Sequence, residues 1–241
     1  MTVKTKVQLV PYDAESETHR QRLYDQRVAC GWGEESIDEW TRMQLSGDKT
    51  IFWVVLGEAV PEEAQKDMIS KNMTRFPAES TLLRDSALTI DAAVRTPTNQ
   101  PFFPMGHIAI QHALDTSAGL GLSPAEDFWW ITSLYIAHDI QRGGFGKSAV
   151  DIVEDMLVQR GAKTIVIDTV SHEASQEDIW LRWRFENRGL EKPAVFKTNE
   201  QWYKERGYTR FGAEKKGYLI SDRKTDEKFW AEKCFMRKDA V

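Results

Sequence analysis

The chain has 241 residues, enough for one large domain or two small ones. Hydrophobic residues make up 41% and aromatics 11%, which can fill a sizeable core, and 32 basic against 37 acidic side chains leave a net charge of -5. That balance argues against general nucleic-acid binding, which needs a basic face, and is compatible with a cationic substrate. No run reaches the roughly 18 apolar residues of a membrane helix. Met1-Thr2-Val3-Lys4 lacks the apolar core of a signal peptide. Cys30 and Cys234 are far apart and fit no metal or redox spacing. The expectation is a reduced, cytoplasmic protein without a membrane anchor.

Taken in order, Lys4 to Val10 alternates like a strand, and Pro11 ends it. Glu15 to Ala29 reads as a polar helix closed by Gly31. Ser36-Ile37-Asp38-Glu39 has the form of a capping box, opening a helix with Ile37, Trp40, Met43 and Leu45 inward. Trp32, in the Gly31-Trp32-Gly33 elbow, is either a buried hinge residue or a substrate contact. Thr50 to Leu56 is a strong strand. Residues 61–100 are polar, weakly periodic and end in a breaker cluster, with a short strand expected between Leu88 and Val94. Met105 to His112 is a strand, and Asp115 to Glu126 a Gly/Ser loop.

A dense aromatic and β-branched strand follows, from Trp129 to Ile136. It breaks at His138-Asp139, passes through Gln141-Arg142-Gly143-Gly144-Phe145-Gly146-Lys147, and opens a helix with Val150, Val153, Met156 and Leu157 at apolar spacing. A glycine-rich turn at a helix start is a natural anion site. The first backbone N–H groups have no intrahelical partners, and the helix dipole favours negative charge there. Lys163 to Val170 is the next strand. Residues 171–197 suggest an amphipathic helix through Ile179, Trp180, Trp183 and Leu190, with Arg182, Arg184 and Arg188 near its wet face. Thr198-Asn199-Glu200-Gln201 is a second capping box, opening a short helix that Gly207 stops. Tyr208 to Phe211, Tyr218 to Ser221 and Cys234 to Arg237 read as closing strands, the last a candidate edge for a homodimer.

Gln141, Gly144 and Gly146 fit the pattern Gln/Arg-x-x-Gly-x-Gly/Ala, and this turn resembles the acetyl-CoA loop of the Gcn5-related N-acetyltransferase (GNAT) superfamily. Trp202-Tyr203-Lys204-Glu205-Arg206-Gly207-Tyr208 resembles that family's aromatic-Tyr-x-x-x-Gly-aromatic segment. The resemblance implies an α/β (α+β) fold with a mixed, mostly antiparallel central sheet of six to seven strands. It also implies a splayed parallel pair and about four flanking helices. The chain would then be one N-acetyltransferase domain over 1–241, with insertions at about 58–103 and 171–197.

The implied reaction is transfer of an acetyl group from acetyl-CoA to a primary amine in a ternary complex, without a metal. The pyrophosphate would lie on the N–H groups from Gln141 to Lys147, and Leu134, Tyr135 and Ile136 would pair with the pantetheine arm like a strand. The thiolate leaving group needs a proton. Tyr203 matches the family's tyrosine acid, a phenol of pKa about 10 that stays protonated at neutral pH. The attacking amine needs a base, and Glu126 and Asp127, at the start of the ligand strand, are the best-placed candidates. His107, His112, His138, His172 and Asp168 are alternatives, each equally readable as structural. Trp32 and Trp130 are candidate substrate contacts. The family often has an Asn about seven residues before the Tyr; here that position is Phe196, and Asn199 is the nearest substitute.

Two other classes compete. A CoA-binding regulatory domain would keep the loop without catalysis. A P-loop nucleotide hydrolase is suggested by Gly146-Lys147-Ser148, with Asp168 as its magnesium carboxylate, but Gln141 stands where its first glycine is required.

Overall fold

A computed structural model describes residues 4–112, 119–122, 127–187, 189–222 and 224–240. The Asp115 to Glu126 loop lies largely outside these, as do Glu126 and Arg188. The chain divides into two compact units: Met1–Leu114 with Trp129–Gly161, and Asp115–Phe128 with Ala162–Val241. Both mix helices with antiparallel strands, so the fold class is the mixed, mostly antiparallel α/β arrangement expected.

The first unit runs β1 (Val7–Pro11), α1 (Glu17–Cys30), α2 (Ile37–Ser46), β2 (Lys49–Leu56), α3 (Glu62–Arg75), β3 (Gly106–His112), β4 (Phe128–Ile136) and α4 (Phe145–Gln159). Its strands pair antiparallel in the order β1-β2-β3-β4. Helix α1 starts at Ser16, whose side chain accepts the His19 N–H, and ends on left-handed Gly31. It turns polar groups inward: His19, Arg22, Gln26 and Arg27 are all buried. This explains why its sequence shows no apolar stripe.

The core around β2 holds Tyr12, Leu23, Ile37, Ile51, Trp53 and Ala109. Trp53 donates its Nε1–H to His19 Nδ1 at 3.0 Å and meets the Tyr12 ring edge-on at 5.9 Å. The His19 Nδ1 also accepts the Asp13 N–H, and Nε2 donates to the Arg84 carbonyl. This fixes a neutral tautomer, and burial pulls its pKa down.

Four expectations in this unit are corrected. Ser36 makes no side-chain capping bond to α2. Leu45 is 51% exposed, and Thr41 and Gln44 are buried instead. Both have backbone or hydroxyl partners: Thr41 meets the Tyr12 hydroxyl at 3.1 Å, and Gln44 Oε1 accepts the Ile51 N–H at 2.7 Å. Within 61–100 the chain forms α3, which buries only Asn72 and carries Lys66–Glu62 and Lys71–Asp67 pairs four residues apart. A helix supported by charge pairs leaves no apolar period to read. The strand expected at Leu88 to Val94 is a small hairpin, Thr89–Ile90 with Ala93–Val94. Asp91 and Ala92 at its tip have φ of 51° and 59°.

The second unit runs β5 (Thr164–Val170), α5 (Asp178–Leu181), α6 (Asn199–Glu205), β6 (Thr209–Ser221) and β7 (Lys228–Asp239). Here β7 lies between β5 and β6, both pairings antiparallel. Cys234 to Arg237 therefore lies on an interior strand of this unit and offers no free edge. The two short strands expected at Tyr208 to Phe211 and Tyr218 to Ser221 are one, β6, with register shifts after Arg210 and Glu214. The expected long helix in 171–197 is one turn of α5 followed by a π-helical turn, Arg182–Glu186. Trp180 and Trp183 are buried and pack at a tilt, 4.9 Å between ring centres, with Phe229 edge-on to both. The second capping box is formed in full by Thr198 and Gln201.

Candidate active site

Strand β4 is held to β3 by close backbone approach. A Cβ on Gly106 would stand 2.2 Å from the Tyr135 carbonyl oxygen, so only glycine fits there. The ladder then breaks. His107 pairs with Tyr135 and Ala109 with Thr132, so Ser133 and Leu134 together face Ile108. Ser133 has the left-handed φ of 54°. This is a β-bulge, which leaves one residue out of the ladder and bends the strand. It falls at the start of the triplet Leu134-Tyr135-Ile136. A backbone N–H freed in this way can donate to an extended ligand or to a developing oxyanion. Serine gives no signal of a bulge, so the sequence did not point to it.

The turn after β4 is built from its own side chains. Gln141 donates its amide to the Ile136 carbonyl at 2.8 Å and to His138 Nδ1 at 3.2 Å. His138 Nε2 donates to the Ala29 carbonyl at 3.2 Å. Gln141 thus ties the strand end to the turn. Arg142 is left-handed at φ 69°. A Cβ on Gly143 would strike the Phe145 ring at 2.4 Å, and Gly144, at φ 81°, is the N-cap of α4. The N-cap residue offers no side-chain cap to α4 and its first turn holds no acidic residue, which leaves the first N–H groups without a local acceptor among the described residues. Among the described residues, a Cβ on Gly146 would meet only Ile136, at an ordinary 3.6 Å. Ala149, Val150, Val153 and Leu157 anchor α4 in the core. Lys147 pairs with Asp151 at 2.8 Å on the outer face of the helix, so its ammonium is already engaged by a carboxylate.

The candidate bases and substrate contacts are spread. His107 is fully buried. It donates Nδ1–H to Gln26 Oε1 at 2.8 Å, while Nε2 faces the Arg27 guanidinium at 3.4 Å. Burial, then the charges of Arg27 and Lys49, hold its pKa well below the usual imidazole range, so it stays a neutral structural group. His112 is exposed and meets the Trp129 ring edge-on at 4.9 Å. Trp130 is 0% exposed, a core residue of β4, whereas Trp32 is half-buried and its carbonyl accepts from Arg27 Nε at 2.9 Å.

In the second unit, Asp127 is exposed at φ 43°, with Lys163 3.7 Å from its carboxylate. Tyr203 sits on α6, 7% exposed, between the rings of Trp202 at 4.7 Å and Tyr208 at 5.4 Å. Asn199 is exposed in the first turn of the same helix. Phe196 packs edge-on against Phe185 at 5.2 Å, which accounts for an aromatic at that position. Asp168 accepts the Tyr218 hydroxyl at 2.9 Å. His172 offers its N–H to the buried Glu200 carboxylate at 2.6 Å. Burial pushes Glu200 up, but Lys204, that N–H and Arg210 outweigh it and leave the pKa lowered. Buried Cys234 is pushed up to about 12 by burial and by Glu200, which makes it a poor nucleophile. Among the described residues, no three His, Cys, Asp or Glu side chains are grouped to hold a metal ion. No helix among them is long and apolar enough to cross a membrane.

Residues 77–182 match the model of the Acetyltransferase (GNAT) family. The match spans β3, β4, the glycine turn, α4 and β5. The chain thus carries a GNAT acetyltransferase domain at residues 77–182. No curated protein matches the chain. Among solved structures, a provisionally assigned acetyltransferase from Acinetobacter baylyi ADP1 aligns at TM-score 0.50 and 11% identity, over 99% of this chain and 94% of that one. This likeness is one of fold. The ribosomal-protein-S18-alanine N-acetyltransferase from Escherichia coli aligns at 0.49 and 12% identity, over 98% and 94% of the two chains. The aminoglycoside 6'-N-acetyltransferase from Enterococcus faecium aligns at 0.49 and 12%, over 97% of each chain.

Proposed function

We propose that the protein is an acetyl-CoA-dependent N-acetyltransferase that acetylates a primary amine of a small molecule. The observation that supports this best is the uncapped, acid-free start of α4, directly after a strand bulged at Ser133-Leu134 and inside the GNAT match. On this reading the pyrophosphate binds the N–H groups of the Gly143-Gly144-Phe145-Gly146 turn. The pantetheine arm adds to Leu134, Tyr135 and Ile136, and an N–H at the bulge serves the oxyanion. Gln141 acts by shaping the turn. Tyr203 protonates the leaving thiolate, and Glu126 or Asp127 takes the proton of the ammonium, directly or through water. Trp32 contributes to the acceptor side. The net acidic charge suits a cationic acceptor, and the whole chain acts as a single domain in the cytoplasm.

The test is calorimetric titration of the full chain with acetyl-CoA and, separately, with ATP and Mg²⁺, followed by a thiol-release assay on a panel of amines. Micromolar acetyl-CoA binding with amine-dependent thiol release is expected. Binding without turnover on any amine would leave a CoA-binding regulatory domain. Nucleotide binding in place of acetyl-CoA binding would overturn the reading.

A further inference from the structure

The start of α4 carries a cation from a distant part of the chain. Lys6, just before β1, donates its ammonium to the Gly143 carbonyl at 2.9 Å. The nitrogen lies 6.0 Å from the centre of the Phe145 ring and 3.4 Å from where a Cβ on Gly144 would stand. It therefore sits against the two residues that open the helix. Electrostatically this is the wrong end. A helix N-terminus is already positive, and cations stabilise helices at the other end. No acidic side chain in the first turn offsets the charge. An anion at the turn turns the same ammonium into an attractive partner. The Gly143 carbonyl takes one of the ammonium's three N–H donors, which leaves two. The other lysine of the turn, Lys147, is engaged by Asp151.

We infer that Lys6, held against Gly143 and Gly144 by its bond to the Gly143 carbonyl, is the lysine that neutralises the pyrophosphate of coenzyme A at the start of α4. This rests on the reading of the turn as the coenzyme A site. It sets beside the motif's N–H groups a positive charge for the phosphates that the motif itself does not encode. Lysine suits the task, because a compact ammonium on a flexible stem can keep the carbonyl and add a phosphate oxygen.

The test is calorimetric titration of the full chain with coenzyme A at low and high salt, for wild type, K6M, K6Q, K6R and the surface control Lys66→Met on α3. K6M removes donor and charge. K6Q keeps a donor for the Gly143 carbonyl without the charge, and K6R keeps the charge. The expectation is that K6M and K6Q each weaken binding by about tenfold, the size of one charge-assisted hydrogen bond. Their salt dependence should flatten, while K6R and Lys66→Met stay near wild type. If K6Q binds like wild type with unchanged salt dependence, Lys6 only shapes the turn and the inference is overturned. If K6M fails to fold, K6Q against K6R decides the same question. If wild type itself does not bind coenzyme A, the reading of the turn has failed, which is a different result from wild-type binding that is indifferent to Lys6.

Discussion

Gly146 separates what the fold needs from what a ligand would need. Its Cβ position is open, in ordinary contact with Ile136 alone among the described residues, and its backbone is helical. Gly146→Ala should hold stability or raise it by up to about 1 kcal/mol, since alanine loses less backbone entropy in a helix. If a phosphate approaches this backbone, the same methyl should weaken acetyl-CoA binding on the order of tenfold, about 1.4 kcal/mol. Thermal melting and calorimetry on one variant read both effects. Gly143→Ala is the contrast, because its Cβ collides with the Phe145 ring and melting should fall. Tyr203 is tested by its hydroxyl. Tyr203→Phe should lower kcat about 100-fold, within the range of a lost general acid, while acetyl-CoA affinity stays near wild type. A parallel loss of affinity would instead make Tyr203 a packing residue of α6.

The segment between α3 and β3 shows how a polar stretch acquires a fixed shape. Asp85 is buried there and clasped by Arg95, whose second guanidinium nitrogen lies 2.8 Å from the carboxylate. Thr98 adds its N–H and hydroxyl at 3.0 and 2.8 Å. Arg95 above all holds the Asp85 pKa down to about 2, from an unfolded value near 3.8. A depressed carboxylate stabilises the fold above its unfolded pKa, and that stability is lost as pH falls through the folded value. The clasp should therefore hold at neutral pH and weaken between about pH 4 and pH 2. Asp85→Asn should cost about 1–3 kcal/mol at pH 7, the range for a lost charged hydrogen bond, and less below pH 3. Denaturant melts of the two proteins at pH 7 and pH 3 measure this.

Over the whole molecule, two buried neutral histidines set the acid side of the stability curve. His19 and His107 have folded pKa values below the ordinary imidazole value of 6.5. The unfolded chain then binds more protons in the window below about 6.5, so stability falls as pH drops through it. Melting temperature should decline from pH 7 to pH 5. His19→Asn should shrink that decline, at a cost in overall stability because the Trp53 and Asp13 donors lose their acceptor. Ligand linkage gives a second global test. Coenzyme A at 100 times its Kd stabilises the native state by about 2.7 kcal/mol, which for a chain of this size is roughly 5–10 °C in Tm. An unchanged melt at that concentration would refute binding to the folded form.

The amino-acid sequence by itself determined the elements that rest on local chemistry. Gly31 and Gly207 end their helices in the left-handed region, Thr198 and Gln201 close a capping box, and the β-branched runs of β2 and β5 read as buried strands. The glycine turn before α4 was legible for the same reason, since a helix start and its open N–H groups are properties of a few consecutive residues. Tertiary structure decided everything that depends on partners far apart in the chain. Helix α1 faces inward with arginine, glutamine and histidine because hydrogen-bond partners elsewhere in the chain receive them, and no periodicity records that. The bulge at Ser133 exists only in the register of β4 against β3. Lys6 reaches Gly143 across 137 residues. Hydrogen-bond and charge complementarity between distant segments is set by how the strands stack, and one local stretch carries no trace of its partner.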